Sequence, residues 1–218
     1  MKVSPLSSAD AFRTERPIIF SGDAVRAILA GRKTQTRRAV KHDEYYACLS
    51  GDCPHEEQAQ CDAFMVTKCP YGVPGDRLWV RWAFWLYTPP STNPRNIQVW
   101  DEHTRCVRWP SGEVIEDCVP DTTSPSWQRK PSIHMPRWAS RLLLETTEVR
   151  VQRVQDISEE DAQAEGARIP TEIRPDSPHE AYLYRENYRF MWDSLNAKRG
   201  YGWETNPFVW AITFKVVK

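Results

Sequence analysis

Phe208-Val209-Trp210-Ala211-Ile212-Thr213-Phe214-Lys215-Val216-Val217 is the stretch on which the fold turns. β-Branched and aromatic residues follow one another with hardly a polar break, which makes it the clearest strand in the sequence. A second short apolar run, Pro17-Ile18-Ile19-Phe20, stands near the other end of the chain and is stopped by Ser21-Gly22. Strands at both ends can pair and so remove open edges, which predicts a small β-barrel, flanked by short helices, in an α+β fold.

Between these ends the pattern supplies further strands. Leu142 to Val154 is rich in Leu, Val and Thr and alternates at Val149, Val151 and Arg153, the mark of a long strand with one buried face. Val73-Pro74-Gly75-Asp76 is turn chemistry, and it leads into Arg77-Leu78-Trp79-Val80-Arg81-Trp82-Ala83-Phe84-Trp85, read as a strand. Three helices are expected. Ser21 or Asp23 caps the first, with Val25, Ile28 and Leu29 at helical spacing and Gly31 as its stop. Ser158, with Asp161 three residues on, resembles a capping box for a helix of about two turns that Gly166 ends. The third runs from about Ala181 to Asn196 with Tyr184, Tyr188, Met191, Trp192 and Leu195 on one face.

Residues 1–16 lack any period and read as an N-terminal arm, which leaves 17–218 as one domain. It carries a cysteine-rich insertion at about 42–72 and a proline-rich one at about 88–136.

The chain has 218 residues, with 29 basic and 29 acidic side chains, so it does not grip long polyanions by bulk charge. The balance is local: residues 1–41 hold nine basic and three acidic side chains. No apolar run approaches the roughly 18 residues of a membrane span and no leader pattern opens the chain, so a cytoplasmic location is expected. Ten tryptophans exclude disorder and provide flat faces for a core or for stacking on a planar ligand.

One segment concentrates reactive side chains: Ile28-Leu29-Ala30-Gly31-Arg32-Lys33-Thr34-Gln35-Thr36-Arg37-Arg38. A lysine that is desolvated or set among other cations loses proton affinity and becomes a base near neutral pH. A threonine hydroxyl becomes a nucleophile only once such a base takes its proton. On residue types alone, a solvated basic loop is the favoured reading of the segment. Cys48, Cys53, Cys61 and Cys69 crowd together with gaps of four, seven and seven residues, whereas structural zinc sites present ligand pairs two to four apart. A structural zinc, reduced thiols and disulfides all stay open for them; no cofactor is expected for catalysis.

The Ile28–Arg38 segment resembles the opening motif of the ASCH domain, a PUA-like β-barrel family related to RNA-binding modules. Cys69-Pro70-Tyr71-Gly72-Val73-Pro74-Gly75-Asp76-Arg77-Leu78-Trp79-Val80-Arg81 is similar to the strand that follows it in phage and prophage members. Ile157 to Gly166 and Trp192 to Gly200 resemble later parts of the same proteins. Small bacterial ASCH proteins include amidohydrolases that deacetylate 4-acetylcytidine. The resemblance implies Lys33 as proton acceptor, Thr36 as nucleophile and Glu165 as proton donor to the leaving amine. It implies a modified pyrimidine nucleoside, nucleotide or single-stranded nucleic acid as partner. Arg32, Arg37 and Arg38 are then the candidates for phosphate, and Trp79, Trp82 and Trp85 for stacking on the base. Trp82 stands where phage relatives carry an acid. The alternatives are a non-catalytic module that reads a modified base in RNA or DNA, and a ribonuclease.

Overall fold

The computed structural model describes residues 14–41, 58–87, 107–108, 127–168 and 183–217. Its main sheet has five strands: β1 (Glu15–Ile19), β2 (Gln35–Ala39), β3 (Arg77–Arg81), β7 (Leu143–Arg153) and β8 (Phe208–Val216), in the order β1-β3-β7-β8-β2. A smaller sheet sets β4 (Phe84–Tyr87) between β5 (Val107–Arg108) and β6 (Trp127–Lys130). Four α-helices complete the described residues: α1 (Gly22–Leu29), α2 (Gln58–Thr67), α3 (Glu159–Ala164) and α4 (Leu183–Asn196). The α+β class holds. Among the described residues the two edge strands, β1 and β2, are not paired with each other, so the main sheet is not closed.

β8 is the organising strand, antiparallel to β7 on one side and to β2 on the other. Its alternation explains the unbroken apolar run. Phe208, Trp210, Ile212 and Phe214 enter the main core with Ile18, Leu78, Val80, Trp82 and Leu144. Val209 turns to a second apolar cluster with Val154, Ile157, Ala162, Tyr188, Trp192 and Trp203, beneath α3 and α4. One strand thereby serves two cores.

Several expectations shift. β1 begins at Glu15, so the arm ends before residue 16; β3 supplies a parallel partner from Arg77 to Arg81, and that pairing outweighs the polar character of Glu15 and Arg16. Residues 1–13 of the arm lie outside the described residues. Part of the cysteine-rich insertion is core: α2 packs against β7 and buries Cys61 and Met65, and Cys69 follows it into the interior. The proline-rich insertion supplies β5 and β6, which flank β4, and Met135 near its end joins the main core together with Ala139 just beyond it. On α4 the buried stripe is Tyr188 and Trp192 with Tyr184 beside them, whereas Met191 and Leu195, expected to be inward, are exposed. No helix among the described residues is long and apolar enough to cross a membrane.

Candidate active site

α1 delivers the reactive segment. Ser21 caps its N-terminus by accepting the Ala24 N–H, and Gly31 takes a left-handed φ of 70° that turns the chain back. Arg32 and Lys33 both donate their N–H to the Ala27 carbonyl, which folds the loop onto the helix end. β2 follows at Gln35. On the opposite side of the site, Ser158 caps α3 by accepting the Asp161 N–H, and the chain leaves α3 through Glu165 and Gly166. Gly166 has a φ of 84°, which favours glycine, and a Cβ there would press on Lys33 Cβ at 3.3 Å. A hydrogen bond from Thr34 N–H to the Ala164 carbonyl, 2.8 Å, ties the two segments together.

This junction brings Lys33 and Glu165 into contact. Lys33 Nζ donates to Glu165 Oε2 at 2.6 Å, and to the carbonyls of Glu165 and Gln35 at 2.8 Å each. Lys33 is 5% exposed and Glu165 4%. Burial pushes the Lys33 ammonium below its ordinary value; Glu165 opposes the fall, and Arg38 and Arg37 add to it. An amine and a carboxyl at this distance share one proton in two forms, ammonium with carboxylate or amine with carboxylic acid. The second offers an acceptor and a donor side by side, the two roles that acyl transfer from an amide asks for.

The strand's alternation divides β2 into two faces. Gln35 and Arg37 face α3. Arg37 Nη2 donates to Asp161 Oδ2 at 2.6 Å, while Nη1 bonds Gln35 Oε1 and lies 3.4 Å from Glu165 Oε1. Gln35 Nε2 donates to Asp161 Oδ1 at 3.1 Å, and Arg150 Nη2 from β7 reaches Asp161 Oδ2 at 3.1 Å. Burial alone would raise the Asp161 carboxyl, but Arg37, Gln35 and Arg150 outweigh it and hold it below its ordinary value. Tyr188 on α4 closes this side; burial, then the Glu165 charge, push its phenol well above its ordinary value.

Thr36 and Arg38 take the other face of β2. Thr36 is buried and pairs in register with Ile212, and Arg38 pairs with Trp210, both partners belonging to the main core. Arg38 donates to the Ile19 carbonyl at 2.6 Å and stacks over Phe20, 5.2 Å from its centroid. Lys33 Nζ lies 5.8 Å from the same ring centroid, so the amine stands between the two faces at the end of β2.

The remaining sequence candidates are dispersed. Arg32 is exposed and, with Thr34, Glu160, Gln163, Arg168 and Tyr184, lines an open groove of about 760 Å³ along the outside of the junction; neither Lys33 nor Glu165 lines it. Trp82 is fully buried in the main core, which leaves it no face for a substrate base. Trp79 lies on the opposite face of β3 from Leu78 and Val80, with the guanidinium carbons of Arg81 and Arg137 at 5.3 and 6.0 Å from its ring centroid. Trp85 pairs through its backbone in β4, and its side chain lies outside the described residues. Cys61 and Cys69 are buried, and burial pushes the Cys69 thiol up to about 11. Cys48 and Cys53 lie outside the described residues, among which no group of three or more His, Cys, Asp or Glu is arranged to hold a metal ion.

Sequence reasoning missed Gln35, Asp161, Arg150 and Tyr188. Asp161 carried a visible signal, three residues after Ser158, but that signal concerns the helix cap, and its side chain reaches Arg37 and Arg150 instead. Arg37, expected on phosphate, is 3% exposed and engaged inside the protein.

No protein-family model and no curated protein matches the sequence. Among solved structures the chain is similar to the ASCH domain from Lactobacillus crispatus JV V101, at 15% identity over 94% of this chain and 80% of that one, with a TM-score of 0.38. It is similar also to protein EF3133 from Enterococcus faecalis V583, described under the family model DUF984, at 13% identity over 95% of this chain and 82% of that one, with a TM-score of 0.40.

Proposed function

We propose that this chain is an ASCH-type amidohydrolase that removes an acyl group from the exocyclic amine of a modified cytosine nucleoside, nucleotide or base. The observation that carries the reading is the 2.6 Å contact between Lys33 Nζ and Glu165 Oε2, two buried groups 132 positions apart in the chain. The motif resemblance names the same two residues as proton acceptor and donor.

In this reading the Thr36 hydroxyl attacks the amide carbonyl and gives its proton to the Lys33 amine. The tetrahedral intermediate collapses as Glu165 protonates the exocyclic nitrogen, so the C–N bond breaks and the amine leaves neutral. That half-reaction leaves an acyl-threonine ester, a Lys33 ammonium and a Glu165 carboxylate. Their direct contact lets the proton return to Glu165. Water then attacks the ester, a proton passes from it to Lys33, and the Thr36 oxygen departs as Lys33 returns that proton to it, releasing the free acid. Little water enters around the pair, which keeps the uncharged amine and acid within reach of each other.

The test is chromatographic. Purified protein is incubated with a panel of acylated nucleosides, 4-acetylcytidine first. Release of cytidine and acetate, lost in Lys33→Ala and Thr36→Val proteins of unchanged circular dichroism, is the expected result. No turnover of any acylated pyrimidine by the wild type would overturn it. A second reading, a non-catalytic nucleic-acid module, draws on the exposed Arg32 and Arg168 in the open groove. Binding of single-stranded RNA that weakens steeply with salt, without turnover, would favour it.

A further inference from the structure

Glu165 is a bridge between two cations. Its Oε2 accepts from Lys33 at 2.6 Å and its Oε1 faces Arg37 Nη1 at 3.4 Å. Only one of these cations can titrate, because an arginine in a protein keeps its proton. Arg37 is in turn shared, since Asp161 Oδ2 holds its Nη2 at 2.6 Å, closer than Glu165 does. The result is a chain of alternating charge, Lys33, Glu165, Arg37, Asp161, Arg150, running from the loop after α1 to β7.

We propose that Arg37, restrained by Asp161, is a positioning residue that decides which member of the Lys33–Glu165 pair carries the shared proton. This rests on Lys33 as the proton acceptor of the reaction above. A permanent cation beside Glu165 favours the carboxylate and disfavours a second cation nearby, and a carboxylate held against that cation weakens both effects. Asp161 thereby sets the strength of the field that Arg37 exerts. The other charged or titratable groups facing the pair are Arg38 on β2 and Tyr188 on α4, and Glu148 on β7 backs Arg150 at 3.6 Å.

The consequence is a pair of opposite shifts from one ion pair. Asp161→Asn releases the field of Arg37 onto the site, so Lys33 loses its proton at lower pH. Arg37→Gln removes a cation and leaves two carboxylates, so Lys33 holds its proton to higher pH. Each shift is expected to be about one pH unit, the low end of what a neighbouring charge produces. Mere structural support behaves differently: either substitution would loosen the junction, admit water and move Lys33 upward toward ordinary lysine.

The experiment titrates the Lys33 side-chain nitrogen by NMR in the full chain labelled with ¹⁵N-lysine, the signal assigned by its loss in Lys33→Arg. The pH profile of 4-acetylcytidine hydrolysis is recorded beside it. A downward move in Asp161→Asn with an upward move in Arg37→Gln supports the proposal; movement in the same direction, or none, overturns it. Glu148→Gln, at an exposed position, serves if those variants do not fold: it releases Arg150 onto Asp161, which then restrains Arg37 less, and Lys33 should move downward, with no move or a rise counting against the proposal. Opposite shifts without turnover in any protein would leave the positioning role standing and remove the amidohydrolase reading. Turnover with unchanged titration would do the reverse.

Discussion

The two faces of β2 are buried on opposite terms. Thr36 and Arg38 lie alongside Ile212 and Trp210, over the main core, whereas Gln35 and Arg37 lie alongside Thr213 and Ala211 and look onto two carboxylates. On the first face burial is favourable in itself, because apolar area leaves water at roughly 25 cal/mol per Å². On the second each charge loses its hydration and recovers it only through a partner, so the face at best breaks even. A fold needs the first kind of face to stand; a buried ion chain at the end of a strand contributes little to standing, and that directs attention to chemistry.

The sharpest way to break this comparison is to remove one member of the polar face. Glu165→Ala leaves Lys33 buried with only two carbonyls as partners, and breaking a buried pair by removing one member costs about 3–5 kcal/mol. Replacing both partners by apolar residues, Lys33→Met with Glu165→Leu, is expected to restore most of that stability while abolishing activity. Urea denaturation of the single and double variants reads both effects. A double variant as unstable as the single one would mean that the pair holds the fold together, and the contrast between the faces would collapse.

The apolar face gives the next effect. Ile212 is fully buried at the centre of β8, and Ile212→Ala should cost about 2–5 kcal/mol through lost contacts and the cavity left behind. Here no second substitution in the ion chain compensates. A loss under about 1 kcal/mol, well below that range, would place the core elsewhere.

Acid separates the faces without mutation. The Asp161 carboxyl sits below its unfolded value of 3.8 in the folded chain. A group depressed in this way contributes stability that is present above the unfolded value and disappears as pH falls through the folded one. Stability measured from pH 6 downward should therefore fall more shallowly in Asp161→Asn than in the wild type, while Ile212→Ala should keep the wild-type slope. Equal slopes in all three would detach Asp161 from the ion chain.

How far each face could be read from sequence follows from the same physics. β8, most of β7, α1 and the Ser158 cap of α3 were legible, because hydrophobic period and capping chemistry are local signals. The pairing that starts β1 at Glu15 was not, since the partner strand begins 62 residues later. Lys33 and Glu165 were named through a motif resemblance, not through any period. Arg37 and Asp161 carry charges that composition assigns to solvent, and only the alternation of β2 against the turn of α3 brings them together. Long-range polar complementarity leaves no periodic trace in a chain.

A smaller effect tests the scaffold that holds the polar face. The Ser158 hydroxyl accepts the Asp161 N–H at 3.1 Å, and Ser158→Ala should cost about 1 kcal/mol as the first turn of α3 frays. Because that turn carries Asp161, the loss should be accompanied by a change in the pH profile of activity. Ser158→Asp, which can cap the same N–H, should recover both.

The smallest effect concerns a face that sequence period misassigned. Met191 and Leu195 fall at helical spacing with Tyr188 and Trp192, yet Leu195 is 59% exposed and only the aromatic pair enters the second core. The reason is geometric: two indoles and a phenol, those of Trp192, Trp203 and Tyr188, fill the space beneath α4, with rings 6.2 and 6.3 Å apart, and leave no room for a wider apolar stripe. Leu195→Gln should accordingly change stability by less than about 0.5 kcal/mol, as for an ordinary surface position. Tyr188→Ala, about two turns earlier on the inward face, should cost several times more and disturb Glu165 with it. A large loss in Leu195→Gln would mean that α4 sits rotated, taking Tyr188 away from the carboxylate that Lys33 and Arg37 share.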